Sequence, residues 1–383
     1  MSSRIGGIGL RSTEKHSPAA FLSSQTSCYN LCTKLDPNYL WDLSNIHADS
    51  HKALTDFNSI VGYNNQLQPD SEMETFPRQQ MLSKAIDENS LAIIKATRAN
   101  DTYFQAHLNL ITNSGAGYWL QATPSKALGT WVDPQLFRIM TQRWLRVPIY
   151  EAEFHCPFCD GVVDRFGDHC LTCACGGDRT KRHNLIRNEV FFFCNSMGLN
   201  PELERPGILQ PRPLIGVLQE SGVARDPSGN RRPADVYLPR WRRGTPAALD
   251  FAVTSGLRSD IVNRSAEDGS QALKMYEDFK CSYLDTKTIC QAEGVNFIPI
   301  ICEADGGGWG PAANRVWSVL AQQKSVLTGE SSSIIISRLL QSLGLVLHRE
   351  NARAILRRFP TMAERDCSEL LAASVTCSTT ADE

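Results

Sequence analysis

A cluster of cysteines with one histidine is the clearest chemical signal in the chain. Five of its thirteen cysteines fall between positions 156 and 175. Four residues of this stretch have the spacing C-x2-C-x9-H-x3-C, and they are Cys156, Cys159, His169 and Cys173. Zinc takes four thiolate or imidazole ligands in a tetrahedron, and a CxxC turn supplies two of them. The spacing therefore predicts a structural zinc knuckle, in which Cys170 or Cys175 is an alternative to Cys173.

Composition supports a metal over disulfide bonds. The chain has 383 residues, 42% of them hydrophobic, and a net charge of -2. It contains neither an apolar run of transmembrane length nor an apolar signal core near the N-terminus, so we expect a nuclear or cytoplasmic protein that is not secreted and has no membrane partner. Clustered cysteines in such a chain favour metal binding. A zinc deaminase is excluded because no H-x-E motif precedes a PCxxC motif.

Two aspartates carry the second chemical signal. Asp235 and Asp250 lie at the edge of, or within, the apolar runs 234–238 and 247–253. A carboxylate in an apolar strand costs desolvation energy unless a partner compensates it. Carboxylates on paired strands can hold a divalent cation, and Mg²⁺ bound there would promote phosphodiester hydrolysis. We therefore predict a magnesium site at Asp235 and Asp250. The alternative is two strand-end aspartates that form caps or salt bridges.

Two further residues could complete this acidic centre. Lys280 lies on the helix predicted after the second strand, where it could orient the attacking water or stabilise the phosphate. Glu189 lies on the helix predicted after the cysteines, where it could complete the metal shell. We predict both as catalytic residues, although either residue type is also common on a solvated helix face.

Local basic residues predict contacts to nucleic acid in a chain without a global positive charge. The segment Pro239–Arg243 combines arginines, which neutralise phosphates, with a tryptophan, which can stack on a base. The predicted nucleic-acid contacts are Arg182, His183, Arg232, Arg240, Trp241, Arg242 and Arg243. The alternatives are a solvated basic loop for 239–243 and helix capping for Arg182 and His183.

The pattern of secondary structure indicates an α/β layer. Helices are predicted at 134–147, where Asp133 is a good N-cap, at 180–197 and at 270–293. Strands are predicted at 234–238, 247–253 and 295–301. We predict little regular structure for residues 1–75 and a long loop at 205–232. A flexible glycine loop is predicted at 306–310, and a mostly helical segment at 311–375. The order of a helix, three strands, a helix and a strand is typical of an α/β protein.

Several ordered motifs resemble one family. CPFC, GDHCLTC, KRHN, RRPADVYLP, ALDFAVTS and FKCSY follow one another as in the C-terminal region of non-LTR retrotransposon polyproteins. In that family a cysteine–histidine motif precedes a restriction-like endonuclease of the PD-(D/E)XK type. The upstream motifs GGIGLRS and FRIMTQRWLRVPI resemble the segment that lies between the reverse transcriptase and the endonuclease in these polyproteins. The resemblance covers residues 1 to about 325.

The resemblance implies an endonuclease that nicks target DNA. It identifies Asp235 with the aspartate of the PD motif and Asp250 with the second acid. Two departures are present: an alanine stands between Pro233 and Asp235, and Ala252 occupies the usual lysine position. In related elements a lysine on the following helix takes that role, which favours Lys280. No YxDD-like polymerase motif occurs in the chain.

The complete prediction is a Mg²⁺-dependent DNA endonuclease with a structural zinc. Its fold would comprise a mainly helical segment at 1–150, a zinc knuckle at 151–179, a restriction-endonuclease-like αβββαβ core at 180–328 and a helical tail at 329–383. DNA would be the partner, with element RNA as a second one. The alternatives are a zinc protein that binds nucleic acid without cleaving it and a degenerate remnant of a retroelement.

Overall fold

The computed structural model of the chain describes residues 1–71, 75–209, 233–242 and 244–359. It is an α/β protein, mostly helical, with a small mixed sheet. The chain divides between Asp101 and Thr102 into two compact units. This division falls inside the segment 1–150 that the sequence suggests as one domain. Within these ranges, no helix combines the length and the apolar character that a membrane span requires. Most of the predicted loop 205–232 lies outside the described residues, as does the end of the tail, 360–383.

Three α-helices are present among the described residues of the first unit, and they are α1 (Thr13–Leu35), α2 (Asp49–Ile60) and α3 (Gln79–Thr97). The Ser12 side chain caps α1 by accepting a hydrogen bond from the amide of Lys15. Leu22, Phe57 and Ile86, one from each helix, are fully buried together. The expectation that residues 1–75 are loosely organised is therefore wrong. Many serines and asparagines stand between the apolar positions, so the helical spacing is hard to recognise in the sequence. Tertiary packing of those apolar positions stabilises the helices.

The second unit contains nine helices in its described part. They are α4 (Thr102–Ile111), α5 (Pro134–Trp144), α6 (Asp168–Thr172), α7 (Asp178–Asn195), α8 (Val262–Glu267), α9 (Gln271–Ser282), α10 (Thr286–Ala292), α11 (Pro311–Thr328) and α12 (Ser332–Leu356). Helix α5 begins where predicted, because Asp133 accepts from the amide of Gln135 at 2.8 Å. The single helix predicted at 270–293 is interrupted. Leu284 and Asp285 both have φ of 54°, a left-handed conformation that ends one helix before the next begins.

The strands form a hairpin and a separate four-stranded sheet. They are β1 (Phe154–His155), β2 (Val162–Val163), β3 (Glu202–Leu203), β4 (Val236–Arg242), β5 (Thr245–Thr254) and β6 (Asn296–Glu303). The sheet order is β3-β4-β5-β6, in which β3, β4 and β5 are antiparallel neighbours and β6 runs parallel to β5. Parallel neighbours require a long crossover connection, which α8, α9 and α10 provide. The predicted strands are confirmed, and β4 and β5 also extend into residues 239–246, which link the two predicted strands.

Alternation along β5 determines which side chains face which helices. Ala247, Leu249 and Phe251 point into the main core, which α7, α11 and α12 cover. Ala248 points to the opposite face, in a smaller cluster with Phe297. Successive strand residues face opposite sides, so Asp250 shares the face of Ala248. This is the face against which α9 and α10 pack.

The glycine segment after β6 is folded rather than free. Trp309 is 3% exposed in the main core and forms a β-bridge with Cys302. A Cβ atom at Gly306 would lie 2.3 Å from the carbonyl oxygen of Leu110, so only glycine permits this approach to α4. The expectation of a flexible loop at 306–310 is therefore wrong, because the tryptophan anchors the segment in the core.

Candidate functional site

The cysteine–histidine residues come together as a cluster. The ligand atoms of Cys156, Cys159, His169 and Cys173 all lie within 4.8 Å of one another. The Cys159 sulfur is 3.3 Å from His169 Nε2 and 3.5 Å from the Cys173 sulfur. The CxxC pair lies between β1 and β2, His169 lies in the first turn of the short helix α6, and Cys173 is the C-cap residue of that helix. A hairpin and one helical turn thus bring four soft or borderline ligands to one point.

The two alternative cysteines lie outside this group. Cys170 is buried, and its sulfur lies 3.6 Å from the hydroxyl of Tyr150. Burial raises the pKa of the Cys170 thiol to about 12, which disfavours the thiolate that a metal needs. Cys175 is exposed on the surface. The ligand set is therefore the one that the spacing C-x2-C-x9-H-x3-C predicts.

The surroundings of the cluster fit a compact metal site. A Cβ atom at Gly161 would lie 2.5 Å from the His169 ring and 3.4 Å from the Cys159 sulfur. The Gly161 amide also donates a hydrogen bond to that sulfur, at 3.4 Å. Three thiols and an imidazole make a closed four-ligand set, which is typical of structural zinc. The Cys3His cluster can thus bind a metal such as zinc.

The knuckle is fastened to the end of α12. The ring of Phe158 lies under both Arg357 and Arg358, each 4.9 Å from its centroid. Arg358 also forms an ion pair with Asp178 at the start of α7, at 2.8 Å. These contacts join the CxxC loop to α7 and α12, the two helices that cover the main core.

A buried arginine makes the second attachment. Arg143 on α5 forms ion pairs with Asp168 on α6 and with Asp305 after β6. Its side chain is 6% exposed, so these carboxylates compensate a charge that water cannot reach. The Arg143 guanidinium is therefore used within the fold. The knuckle and the sheet share one polar network through this residue.

The two aspartates are brought together by strand pairing. Val236 in β4 pairs with Leu249 in β5, so the register places Asp235, the residue before β4, level with Asp250. The Asp235 amide donates to Leu249 at 2.9 Å, and its carboxylate accepts from the Phe251 amide at 2.6 Å. The two carboxylates are close enough for the charge of Asp235 to raise the pKa of Asp250.

Lys280 contacts this pair from α9. Its Nζ lies 2.9 Å from Oδ2 of Asp250, and the two side chains are 25% and 19% exposed. Burial raises the pKa of Asp250, Lys280 opposes that rise, and the charge of Asp235 adds to it. Burial lowers the pKa of Lys280, but the Asp250 carboxylate outweighs it, so the pKa of Lys280 is raised. The lysine is thus held in its charged form beside the two acids.

The location of His183 at the acidic centre was not predicted from the sequence. Its Nε2 lies 3.2 Å from both the Asp235 carboxylate and the carbonyl oxygen of Phe251. The hydrogen bond with Asp235 raises the pKa of His183, against the effect of burial. The sequence assigned His183 to nucleic-acid contacts, whereas the fold brings it to the acidic centre. The KRHN motif was the only sequence feature that singled out His183. Its contact with Asp235, 52 residues away, depends on how α7 packs on the sheet.

Three other predicted site residues have partners elsewhere. The Glu189 carboxylate accepts a hydrogen bond from Ser342 on α12. Arg182 is 5% exposed and donates to Asn351 and to the Leu171 carbonyl, so its guanidinium is used within the fold. Trp241 is 5% exposed in the main core. This corrects the expectation that Arg182 and Trp241 contact nucleic acid, because neither side chain is accessible.

The remaining basic residues lie away from the acids or outside the described ranges. Arg240 and Arg242 are exposed on β4. A strand rises about 3.3 Å per residue, which puts Arg240 roughly 16 Å along the strand from Asp235. Both side chains therefore lie away from the acidic centre, and their contact with nucleic acid stays a prediction. Arg232 and Arg243 lie outside the described residues.

No protein-family model matches the chain, and no curated protein sequence is significantly similar to it.

Proposed function

We propose that this chain is a Mg²⁺-dependent DNA endonuclease of a retroelement, which nicks target DNA by hydrolysing a phosphodiester bond. One observation carries the proposal. Asp235, Asp250, Lys280 and His183 come together at the β4–β5 pair, where Lys280 Nζ lies 2.9 Å from Asp250 and His183 Nε2 lies 3.2 Å from Asp235. Paired acids with a lysine are the groups that metal-assisted phosphodiester hydrolysis uses.

The order of elements supports this proposal. Helix α7 precedes three antiparallel strands, and α9 follows them before the parallel strand β6. The same order is expected for the αβββαβ core of a restriction-like endonuclease. The two acids lie next to or within its two central strands. The resemblance of the ordered motifs to retrotransposon polyproteins is the further reason for choosing this class.

The donors at the site fit magnesium. The carboxylates of Asp235 and Asp250 and the Phe251 carbonyl are hard oxygen ligands, which Mg²⁺ prefers. Both aspartate side chains keep about a fifth of their exposure, 20% and 19%, so a hydrated cation can reach them. Bound Mg²⁺ would polarise the phosphate and acidify a coordinated water. The cation could therefore bind without a conformational change that exposes either carboxylate.

Side chains of the protein would stabilise the phosphate, orient a metal ligand and hold a structural zinc. Lys280 would donate hydrogen bonds to phosphate oxygens as negative charge develops on them. His183 would hold the Asp235 carboxylate in one orientation through the hydrogen bond at 3.2 Å. A zinc bound at the Cys3His cluster would be structural, because all four of its ligands come from protein and no open position remains. DNA would be the substrate, with element RNA as a further partner, in the nucleus or cytoplasm.

A plasmid-nicking assay with Mg²⁺ tests the proposal. We expect Asp250→Ala to lower the nicking rate at least 100-fold, because it removes a metal ligand. Asp278→Ala is the matched control, since Asp278 is an exposed aspartate on α9 two residues from Lys280. The control should keep the wild-type rate. Equal nicking by wild type and Asp250→Ala would refute the nuclease.

A second candidate is a zinc protein that binds nucleic acid without cleaving it. The residue two positions after Asp250 is Ala252, so the lysine of the usual acid-x-lysine motif is missing from that place. Salt-dependent DNA binding without any Mg²⁺-dependent nicking would favour this candidate. Loss of that binding in Cys159→Ser would further connect it to the zinc knuckle.

A further inference from the structure

An aromatic face lies beside Lys280 on the exposed side of α9. The ring centroids of Tyr276 and Phe279 are 5.7 Å apart, and those of Phe279 and Tyr283 are 5.3 Å apart at an interplanar angle of 38°. Tyr276 and Phe279 are three residues apart on α9 and lie on one side of it, and Tyr283 is the residue that directly follows the helix. Lys280, which directly follows Phe279, contacts the acidic centre.

The aromatic face is open to a ligand. Phe279 and Tyr283 are each 49% exposed. A cleft of about 290 Å³ adjoins the first two rings, and its walls are Thr254, Arg258, Ile261, Ala272, Met275, Tyr276 and Phe279. Most of this lining is apolar. A flat, apolar or aromatic group could enter the cleft and cover a ring that water now contacts.

Positive charges border the same face. Arg258 forms part of the cleft wall and donates to Thr254, while it also pairs with Asp260. Arg264 extends from α8 over the edge of α9, with its Nη1 3.1 Å from the Met275 sulfur. Arg258 lines the cleft together with Tyr276 and Phe279, and Arg264 contacts Met275 of the same wall, while Lys280 lies next to Phe279 in sequence. Aromatic rings flanked by cations suit a ligand that combines flat rings with negative charge, as a nucleic-acid strand does.

We propose that Phe279 and Tyr283 stack on unpaired bases of the DNA strand whose phosphates face Lys280. This inference rests on the proposed function and specifies its substrate: DNA with single-stranded bases next to the cleavage site. Base faces inside a duplex are covered by their neighbours, so an exposed ring can stack only on a base that has left the helix. The acids would cleave at a position that the stacked base sets.

Binding of labelled oligonucleotides to the full-length chain tests the stacking. Ca²⁺ replaces Mg²⁺ so that binding is measured without cleavage, and the probes are a 20-nucleotide single strand and the perfect duplex of the same sequence. Removal of one base–aromatic stack in Phe279→Leu should raise the Kd for the single strand about tenfold. The Kd for the duplex should change less than twofold. Phe279→Tyr keeps a ring and should bind the single strand as wild type does.

Phe192→Leu is the matched control, because Phe192 is 60% exposed on α7 and lies outside this aromatic face. It should not change either Kd. Stacking is refuted if Phe279→Leu has no effect, if it weakens single-strand and duplex binding equally, or if Phe192→Leu weakens binding as much. It is also refuted if sedimentation shows that Phe279→Leu converts a dimer to a monomer, because the face would then contact a second copy.

The nicking assay separates failure of this inference from failure of the proposed function. If Asp250→Ala abolishes nicking while Phe279→Leu binds the single strand normally, the nuclease stands and the stacking is refuted. If wild type does not nick but Phe279→Leu selectively weakens single-strand binding, the stacking is supported and the nuclease is refuted.

Discussion

Replacing Lys280 by methionine is the most direct test of the acidic centre. Methionine keeps an unbranched apolar stem but removes the charge that lies 2.9 Å from Asp250. The aspartate side chain, 19% exposed, would then have no cation at that distance. We expect the variant to fold, since α9 remains intact, and to lose stability in a way that depends on pH.

The size of the loss follows from the burial of the pair. Exposed ion pairs contribute about 0–1 kcal/mol, whereas breaking a fully buried pair costs about 3–5 kcal/mol. Exposures of 25% and 19% put this pair between those limits. We therefore expect Lys280→Met to lower the free energy of unfolding by about 2 kcal/mol at pH 7.5.

The dependence on pH has a definite sign. Burial raises the pKa of Asp250 in the wild type, and Lys280 opposes that rise. Removing the lysine must therefore raise the pKa of Asp250 further. A carboxyl whose pKa is raised on folding contributes stability at low pH and loses it as the pH rises through the folded-state pKa. The deficit of Lys280→Met should thus be small near pH 4.5 and grow toward pH 8.

Urea unfolding followed by tryptophan fluorescence, at several pH values from 4.5 to 8, measures this deficit. Lys287→Met, at an exposed lysine on α10, is the control and should cost less than about 0.5 kcal/mol at every pH. The double variant with Asp250→Asn should recover most of the loss, because a neutral amide needs no cation. A deficit that is independent of pH, or no larger than that of Lys287→Met, would refute the geometry described for this pair.

Three further predictions concern the zinc knuckle and the histidine. Metal analysis should find one zinc per wild-type chain and none in Cys173→Ser, whereas Cys175→Ser should keep it; zinc loss in both variants would contradict the ligand set. Gly161→Ala should weaken zinc binding by about 10-fold or more in a chelator competition, because its Cβ would crowd the ligand histidine; unchanged affinity would show that the loop relaxes. By NMR, His183 should titrate above its ordinary pKa of about 6.5, and Asp235→Asn should lower that value. Any stability from this pair is present below pH 6.5 and is lost as the pH rises through the raised pKa, so a His183 that titrates normally would refute the pairing.

Features that depend on neighbouring residues could be predicted from the sequence. The start of α5 follows from Asp133 and Pro134, because a cap requires only its own helix turn. The four residues of the Cys3His cluster lie between Cys156 and Cys173, so a short loop brings them together at little entropic cost. The strand runs that carry Asp235 and Asp250 were recognisable because a carboxylate among apolar residues is unusual.

Features that depend on packing could not be predicted in this way. Trp241 lies in a basic segment, yet the extension of β4 buries it in the core. The helix is interrupted at Leu284 and Asp285, which both have a left-handed backbone conformation. Neither residue type predicts that conformation. Residues 1–75 lack an obvious apolar pattern, although their helices share a core.

The acidic centre shows the division most clearly. Asp235, Asp250 and Lys280 could be identified as candidates from the sequence, because an acid in an apolar run and a lysine on a following predicted helix are recognisable there. The contact of His183 with Asp235, and the hydrogen bond of Glu189 with Ser342 on α12, became known from the folded structure. Local sequence sets the period of each helix and strand, whereas the face of a helix that packs on the sheet depends on which of its residues the whole fold buries.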